Sequence, residues 1–363
     1  MSKIHFAEED WARIEGDTMA WWEGELDRPL VYLAVTDPLP IAWPYGYLSN
    51  YPLDLPVDQL IDCYAPFLEA THFYADAFPW WWVNFGPGIA AGFLGSQVNS
   101  VIEPSETVWF TPRQPVAIEN LHFEFDPDNI WWKRVKEITA GIIARYGRDL
   151  SVSHTDLGGN LDILASFRET QGLLFDVVEK PEEVDRLVME INRLWLRYYD
   201  ELDAIIRPAC RGTTSWVPIW TTGTTYMLQS DFCYMISPDM FERFVMPDLT
   251  ACCEHLSHGF YHLDGKGEIP HLDKLLSIER LRGIQWIPGD GQPTPDQWLP
   301  LLKRIRDGGK LCQVAVTPEG ARHIVRNLGG KGFLLVISSY GEELLNPEVV
   351  KAFLKTLADE DIG

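Results

Sequence analysis

Long apolar runs are missing from this sequence. No stretch of about 18 apolar residues occurs, the length a membrane-spanning helix needs. The opening residues, MSKIHFAEEDWARIEGD, are polar and acidic and lack the apolar centre of a secretory signal, so a cytoplasmic location is expected. Cysteine is sparse and scattered: the six residues Cys63, Cys210, Cys233, Cys252, Cys253 and Cys312 form no C-x-x-C pair. Neither a disulfide framework nor a cysteine-rich zinc site is therefore signalled. Positive charge is in deficit, with 30 Lys and Arg against 53 Asp and Glu and a formal charge of −23. Such a field repels nucleic acid and anionic membrane, so neither is an expected partner; its plain role is solubility. There is no fixed-period repeat, no low-complexity segment and no long linker. No G-x-G-x-x-G follows the first expected strand, which argues against a dinucleotide-binding open sheet.

What is present suffices for one large core: 363 residues, 46% of them hydrophobic. A helix-start signal recurs at Ser237-Pro238-Asp239, Thr294-Pro295-Asp296, Thr317-Pro318-Glu319 and Asn346-Pro347-Glu348. The first residue caps free N–H groups, Pro fits the first helical position and the acid suits the positive helix end. Between these helices lie short apolar runs at 260–263, 284–287, 311–316 and 333–337, the pattern of buried strands. Strand and helix alternate, which implies parallel strands with right-handed crossovers. Strand regions near Leu30, Thr71, Leu150, Leu228, Gly259, Gly283, Lys310 and Gly332 make eight. The expected architecture is one α/β domain over residues 1–363, a (β/α)₈ TIM barrel. Residues 1–29 form an N-terminal helical extension, residues 181–202 a long helix, and residues 80–125 an insertion over the barrel mouth.

In a barrel the carboxyl ends of the strands carry the chemistry. Tyr261-His262-Leu263-Asp264-Gly265 places His262 and Asp264 two apart at such an end, on one strand face, to bind a metal or to act as acid and base; the plainer alternative is a structural His–Asp pair. Asp76 and Asp231 close other runs, and Asp156 follows His154 with Gly158-Gly159 behind it, a pair suited to close backbone approach. Tyr340, with Ser338 and Ser339, ends the last strand. Asp231 is expected to join His262 and Asp264 in catalysis, while Asp76, Asp156, Tyr340, Trp82 and Trp220 line the substrate. The 15 Trp cluster at 21–22, 80–82 and 131–132; most such residues plug core, but those at a mouth present a face to a flat or cationic methyl donor. His72, His255, His258, His271 and His323 lack ligand spacing and read as surface or satisfied. Of Cys252 and Cys253, at most one is expected to face the core. Gly289-Asp290-Gly291 reads as a turn.

These residues resemble the uroporphyrinogen decarboxylase (URO-D) superfamily, which includes corrinoid and coenzyme M methyltransferases. The likeness runs over most of the chain and is strongest from about residue 225. Asp231, followed by Ser237-Pro238 and a helix ending at Pro247, looks like the family's Asp-bearing strand end and its S-P-x-x-F-x-x-F-x-x-P helix. Residues 261–265 sit where the methyltransferases carry H-x-C-G, and Asn346-Pro347 looks like the start of the last helix. By that anchor Tyr340 stands at a zinc cysteine of the methyltransferases, and Asp76 at the decarboxylases' substrate-holding acid. The stretch 31–37 has no Arg where the decarboxylases are Arg-rich, which speaks against a porphyrinogen substrate. His262, Asp264 and Tyr340 stand in place of the His and two Cys that hold zinc in the methyltransferases, so the resemblance implies a divalent metal such as zinc, while the missing thiolates make a harder oxygen-rich site, or no metal, the more natural expectation. The function implied is methyl transfer from a small methylated substrate, with a corrinoid carried on a separate protein and a homodimer as a further assembly. The alternatives are a decarboxylase or carbon–carbon lyase acting on a small carboxylic acid, and a non-catalytic binding barrel.

Overall fold

The computed structural model describes residues 4, 6–103, 106–338 and 342–361. Its strands are β1 Leu30–Thr36, β2 Thr71–Ala75, β3 Trp80–Trp81, β4 Gln97–Val101, β5 Thr107–Thr111, β6 Ser151–Val152, β7 Thr225–Leu228, β8 His258–Asp264, β9 Leu281–Ile287, β10 Leu311–Val316 and β11 Phe333–Ile337. Seven form one sheet in the order β2-β1-β11-β10-β9-β8-β7. From β7 through β11 to β1 every neighbouring pair is parallel, as the alternation of strand and helix required.

Each of the eight expected strand regions contains a strand, but a closed barrel is not seen among the described residues. β2 lies antiparallel on the outer side of β1, and β6 pairs only with β3, both two residues long. Such short strands cannot carry a ladder on two sides. The gap between β6 and β7 is crossed instead by isolated bonds: the Tyr226 hydroxyl donates to the Thr155 carbonyl at 3.2 Å, and the His154 N–H to the Thr214 carbonyl at 3.2 Å. Alternation fixes the order of elements and not the length of each ladder. β4 and β5 form a separate antiparallel hairpin within residues 80–125.

The capping signals work as expected at three of four places. Ser237 Oγ accepts from the Met240 N–H, Thr317 Oγ1 from the Gly320 N–H and Asn346 Oδ1 from the Glu348 N–H. At Thr294 the chain makes a 3₁₀ turn, Pro295–Gln297, before the helix Leu299–Asp307. The long helix runs Pro181–Ile206 and buries Val184, Leu187, Val188, Ile191, Trp195 and Tyr198 along one stripe, each apolar side chain stabilising the fold by about 1.5–3 kcal/mol.

The helix Glu8–Trp22 covers the amino-terminal end of the sheet. Its Trp11, Trp21 and Trp22 pack with Phe260, Met227 and Leu334 in a second core. Trp21 Nε1 donates to the Phe333 carbonyl and Trp22 Nε1 to the Trp220 carbonyl. That end is thereby closed, and the opposite end is left for chemistry.

Candidate functional site

Three side chains meet at the carboxyl end of the sheet. A ring nitrogen of His262 and a carboxylate oxygen each of Asp231 and Asp264 lie within 4.8 Å of one another. His262 and Asp264 come from one face of β8, above the fully buried Phe260. Asp231 begins the 3₁₀ turn Asp231–Met235 after β7, and its side chain borders an open cleft.

The orientation of His262 is set by the sheet register, which aligns His262 with Gln285 on β9 and Gln285 with Gln313 on β10. Gln285 Nε2 donates to Gln313 Oε1 at 2.8 Å. Its Oε1 is thus turned toward His262 and accepts from Nδ1. The proton sits on Nδ1 and the lone pair on Nε2, the atom left for a ligand. Trp216 stands edge-on to the ring, centroids 5.1 Å apart.

More carboxyl groups surround the trio than the sequence suggested. Asp162, on the helix Asn160–Glu179, accepts from the backbone N–H groups of Asp231 and Phe232 at 3.0 and 2.7 Å and so fixes the Asp231 turn. Burial, with the charge of Asp231, pushes its carboxyl up to about 8. Glu268 is fully buried; Tyr261 donates to its Oε2 at 3.1 Å while its Oε1 has no partner among the described residues. Burial first, then Asp231, holds it well above the usual carboxylate range. Asp231 is raised by desolvation and by Asp264, against the opposing pull of His262. Asp156 is buried, accepts from the Gly158 N–H at 2.9 Å and is pushed up to about 7, chiefly by burial. The Gly pair behind it makes the close approach expected: a Cβ on Gly159 would stand 2.1 Å from the Gln229 carbonyl oxygen, and one on Gly158 2.6 Å from the Gly88 Cα.

Other expected residues do not join the trio. Asp76 is held at the opposite end: Arg28 grips it with two bonds of 2.8 and 2.9 Å, and the Val31 N–H donates to it at 2.8 Å. Because β2 is antiparallel to β1, its last residue lies where β1 begins. Trp220 is buried in the second core among Trp21, Trp22 and Phe78, away from the mouth. Trp82 is half-buried, its ring 6.4 Å from Trp216 and its Nε1 unpartnered among the described residues, one ring removed from His262. Tyr340 and Ser339 lie outside the described residues.

Of the histidines expected to be surface or satisfied, four have a polar partner, although the buried His271 keeps its Nδ1 unpartnered among the described residues. His271 Nε2 bonds the Cys233 carbonyl, His258 the Thr221 hydroxyl, His255 Asp200 and His72 Asp37. Cys252 and Cys253 are both buried, contrary to the expectation of one at most. Their helix, Met246–His255, is covered on two sides: Asn192 bonds Cys252 Sγ, and Cys253 packs against Gly259 of β8. Burial raises both thiols, so neither offers a thiolate.

Asp162, Glu268, Gln285 and Gln313 were not singled out from the sequence. The two glutamines did leave a signal, one polar residue each in an otherwise apolar strand run, at the register of His262. Glu268 left none.

No family model and no curated protein matches the chain. Among solved structures it is similar to a methyltransferase from Methanosarcina mazei, with 12% identity, a TM-score of 0.61, and coverage of 95% of this chain and 98% of that one. The two share a fold. A B12-independent methionine synthase from Shewanella sp. W3-18-1 also matches at 12% identity over 74% of each chain, with a TM-score of 0.33, too low to carry an argument. The shared fold is an α/β fold with a large, mostly parallel sheet. No helix among the described residues is long and apolar enough to cross a membrane.

Proposed function

We propose that the chain is a methyltransferase-type enzyme of the URO-D superfamily, acting on a small methylated substrate at a divalent-cation site formed by Asp231, His262 and Asp264. The observation that carries this reading is the convergence of three ligand atoms within 4.8 Å, with the His262 tautomer fixed by Gln285. One imidazole and two carboxylates are a borderline-to-hard donor set, suited to zinc or manganese and unlike a thiolate site. A divalent cation held there by Asp231, His262 and Asp264 would supply Lewis acidity to the accepting nucleophile, keeping a thiol in its thiolate form. Asp162 holds the Asp231 turn, Gln285 holds the imidazole, and Trp216 limits water at its edge. The acceptor would be a thiolate or a corrinoid carried on a separate protein; either would supply the electron pair of the new bond to the methyl carbon, while the pair of the broken bond stays with the donor heteroatom.

The test pairs metal analysis of the purified protein with methyl transfer to cobalamin or a thiol. His262→Ala and Asp264→Ala are expected to lose both the metal and the transfer while keeping the far-ultraviolet circular dichroism of the parent. Undiminished turnover by His262→Ala sinks the proposal, and carbon dioxide release from a small acid in place of methyl transfer redirects it to a decarboxylase.

A further inference from the structure

Beside the trio lies a cleft of about 520 Å³ between the β4–β5 hairpin, the helix Asn160–Glu179 and the Asp231 turn. Its lining has two chemistries. Trp109, Phe110 and Phe232 give aromatic surface, and Trp109 is 62% exposed, an unusual place for so large an apolar ring. Asp162, Asp231 and Glu169 give carboxyl groups from two separate elements, and no Lys or Arg is among the described lining residues. Glu169 is brought to the rim by a break in its helix, with φ 57° and ψ 154°, a conformation that non-glycine residues seldom adopt.

An anionic substrate would find no counter-charge among the described lining residues, and a neutral one would leave Glu169 and Asp231 facing no opposite charge, whereas Asp162 already accepts from two backbone N–H groups. An organic cation meets both linings: its charge faces the carboxyl groups, and its methyl shell faces the π-faces of the aromatic rings. The −23 charge of the chain raises the local concentration of such a ligand. Asp231 belongs both to the cleft and to the trio, so a ligand seated in the cleft has one end at the reacting site.

We infer that the cleft is the substrate-binding site and that its ligand is a methylated ammonium compound. This rests on the function proposed above and narrows it to a substrate class.

Titration calorimetry with choline and with its neutral isostere 3,3-dimethyl-1-butanol tests the inference. Choline is expected to bind, and the isostere to bind at least about tenfold more weakly. Trp109→Ala and Glu169→Gln should each weaken choline by roughly three- to tenfold. Trp43→Ala, at an equally exposed ring stacked on Phe67 and absent from the cleft lining, should leave affinity unchanged. Equal binding of choline and the isostere, no binding of choline in the millimolar range, or indifference to both cleft substitutions overturns the inference. Metal content is measured on the same preparations: a protein that holds its metal through His262 yet ignores choline rejects the ammonium ligand and leaves the metal-site reading standing.

Discussion

Replacing Gln285 by Leu removes an acceptor from His262 without touching any of the three proposed metal ligands. In the parent, Gln285 Oε1 accepts a hydrogen bond from His262 Nδ1–H and its Nε2 donates onward to Gln313 Oε1. Leu fills a similar volume and offers neither bond. Gln285 is 6% exposed, so water does not enter to replace the acceptor. The imidazole then loses the bond that keeps its proton on Nδ1, and the alternative tautomer places the proton on the nitrogen meant for the metal. Loss of such an outer partner costs on the order of 10- to 100-fold in metal affinity, about 1.4–2.7 kcal/mol. Gln313 Oε1 also loses its donor, so global stability falls by about 1–3 kcal/mol. Competition titration of zinc and manganese against a chelating dye at neutral pH reads the first effect, and urea unfolding reads the second. Gln285→Glu keeps an acceptor for Nδ1–H and should recover most of the metal affinity. If Gln285→Leu binds metal as tightly as the parent while His262→Ala does not, the sheet register does not prepare the ligand and the reasoning fails.

Three further outcomes follow from other parts of the molecule. Asp248 is buried and accepts from the side-chain amides of Asn160 and Asn192, so Asp248→Leu strands two donors and should cost about 2–5 kcal/mol in urea unfolding, with metal affinity unchanged. Burial pushes Asp156 and Asp248 up to about 7. The folded state therefore holds protons that the unfolded chain has released, and this stabilisation is lost as pH rises through 7. His154 and His258, held at about 4 by burial, act in the opposite sense and only below their unfolded value of about 6.5. Between about pH 6.5 and 8 the acids act alone, so thermal scans should show Tm falling over that window, less steeply in Asp248→Asn; a flat or rising Tm contradicts the assignment. Arg28→Ala should lower stability by about 1–3 kcal/mol, discounted for the partial exposure of Arg28, because it leaves the buried Asp76 short of its main partner; unchanged metal and choline binding would mark Asp76 as structural.

The second half of the fold was legible because its strands are apolar runs and three of them, β7, β10 and β11, are followed by a capped helix. Ser237, Thr317 and Asn346 cap as their residue types require. The pair His262 and Asp264 was legible because alternation along a strand is a strict rule, and a Gly turn marked which end of β8 it closed. What the pattern did not contain was ladder length and neighbour choice. β3 and β6 are two residues each, too short to be told from extended loop, and they pair with each other and not with β2 or β7 among the described residues. Asp162 and Glu268 were hidden for a different reason. An acid near a helix start or in a Gly-rich loop is ordinarily a solvated residue, and only tertiary packing buries Glu268 and brings Asp162 onto the backbone N–H groups of the Asp231 turn.

Asp76 and Asp264 show where local reading stops. Both are acids at the carboxyl end of a β-rich run, and both were assigned to the same rim on that ground. β8 runs parallel to its neighbours, so Asp264 emerges at the end where the parallel strands finish. β2 runs against β1, Thr36 facing Thr71 and Tyr32 facing Ala75, so Asp76 emerges where β1 begins. There it meets Arg28, the Val31 N–H and the Trp-rich cap of the first helix. Strand direction is a property of pairing, and pairing is decided by residues that may lie far away in the chain. The same side chain at the same local position is therefore a buried partner of Arg28 at one end of the sheet and a proposed ligand at the other, and a polar residue at a strand end can be given a role only after the direction of that strand is known.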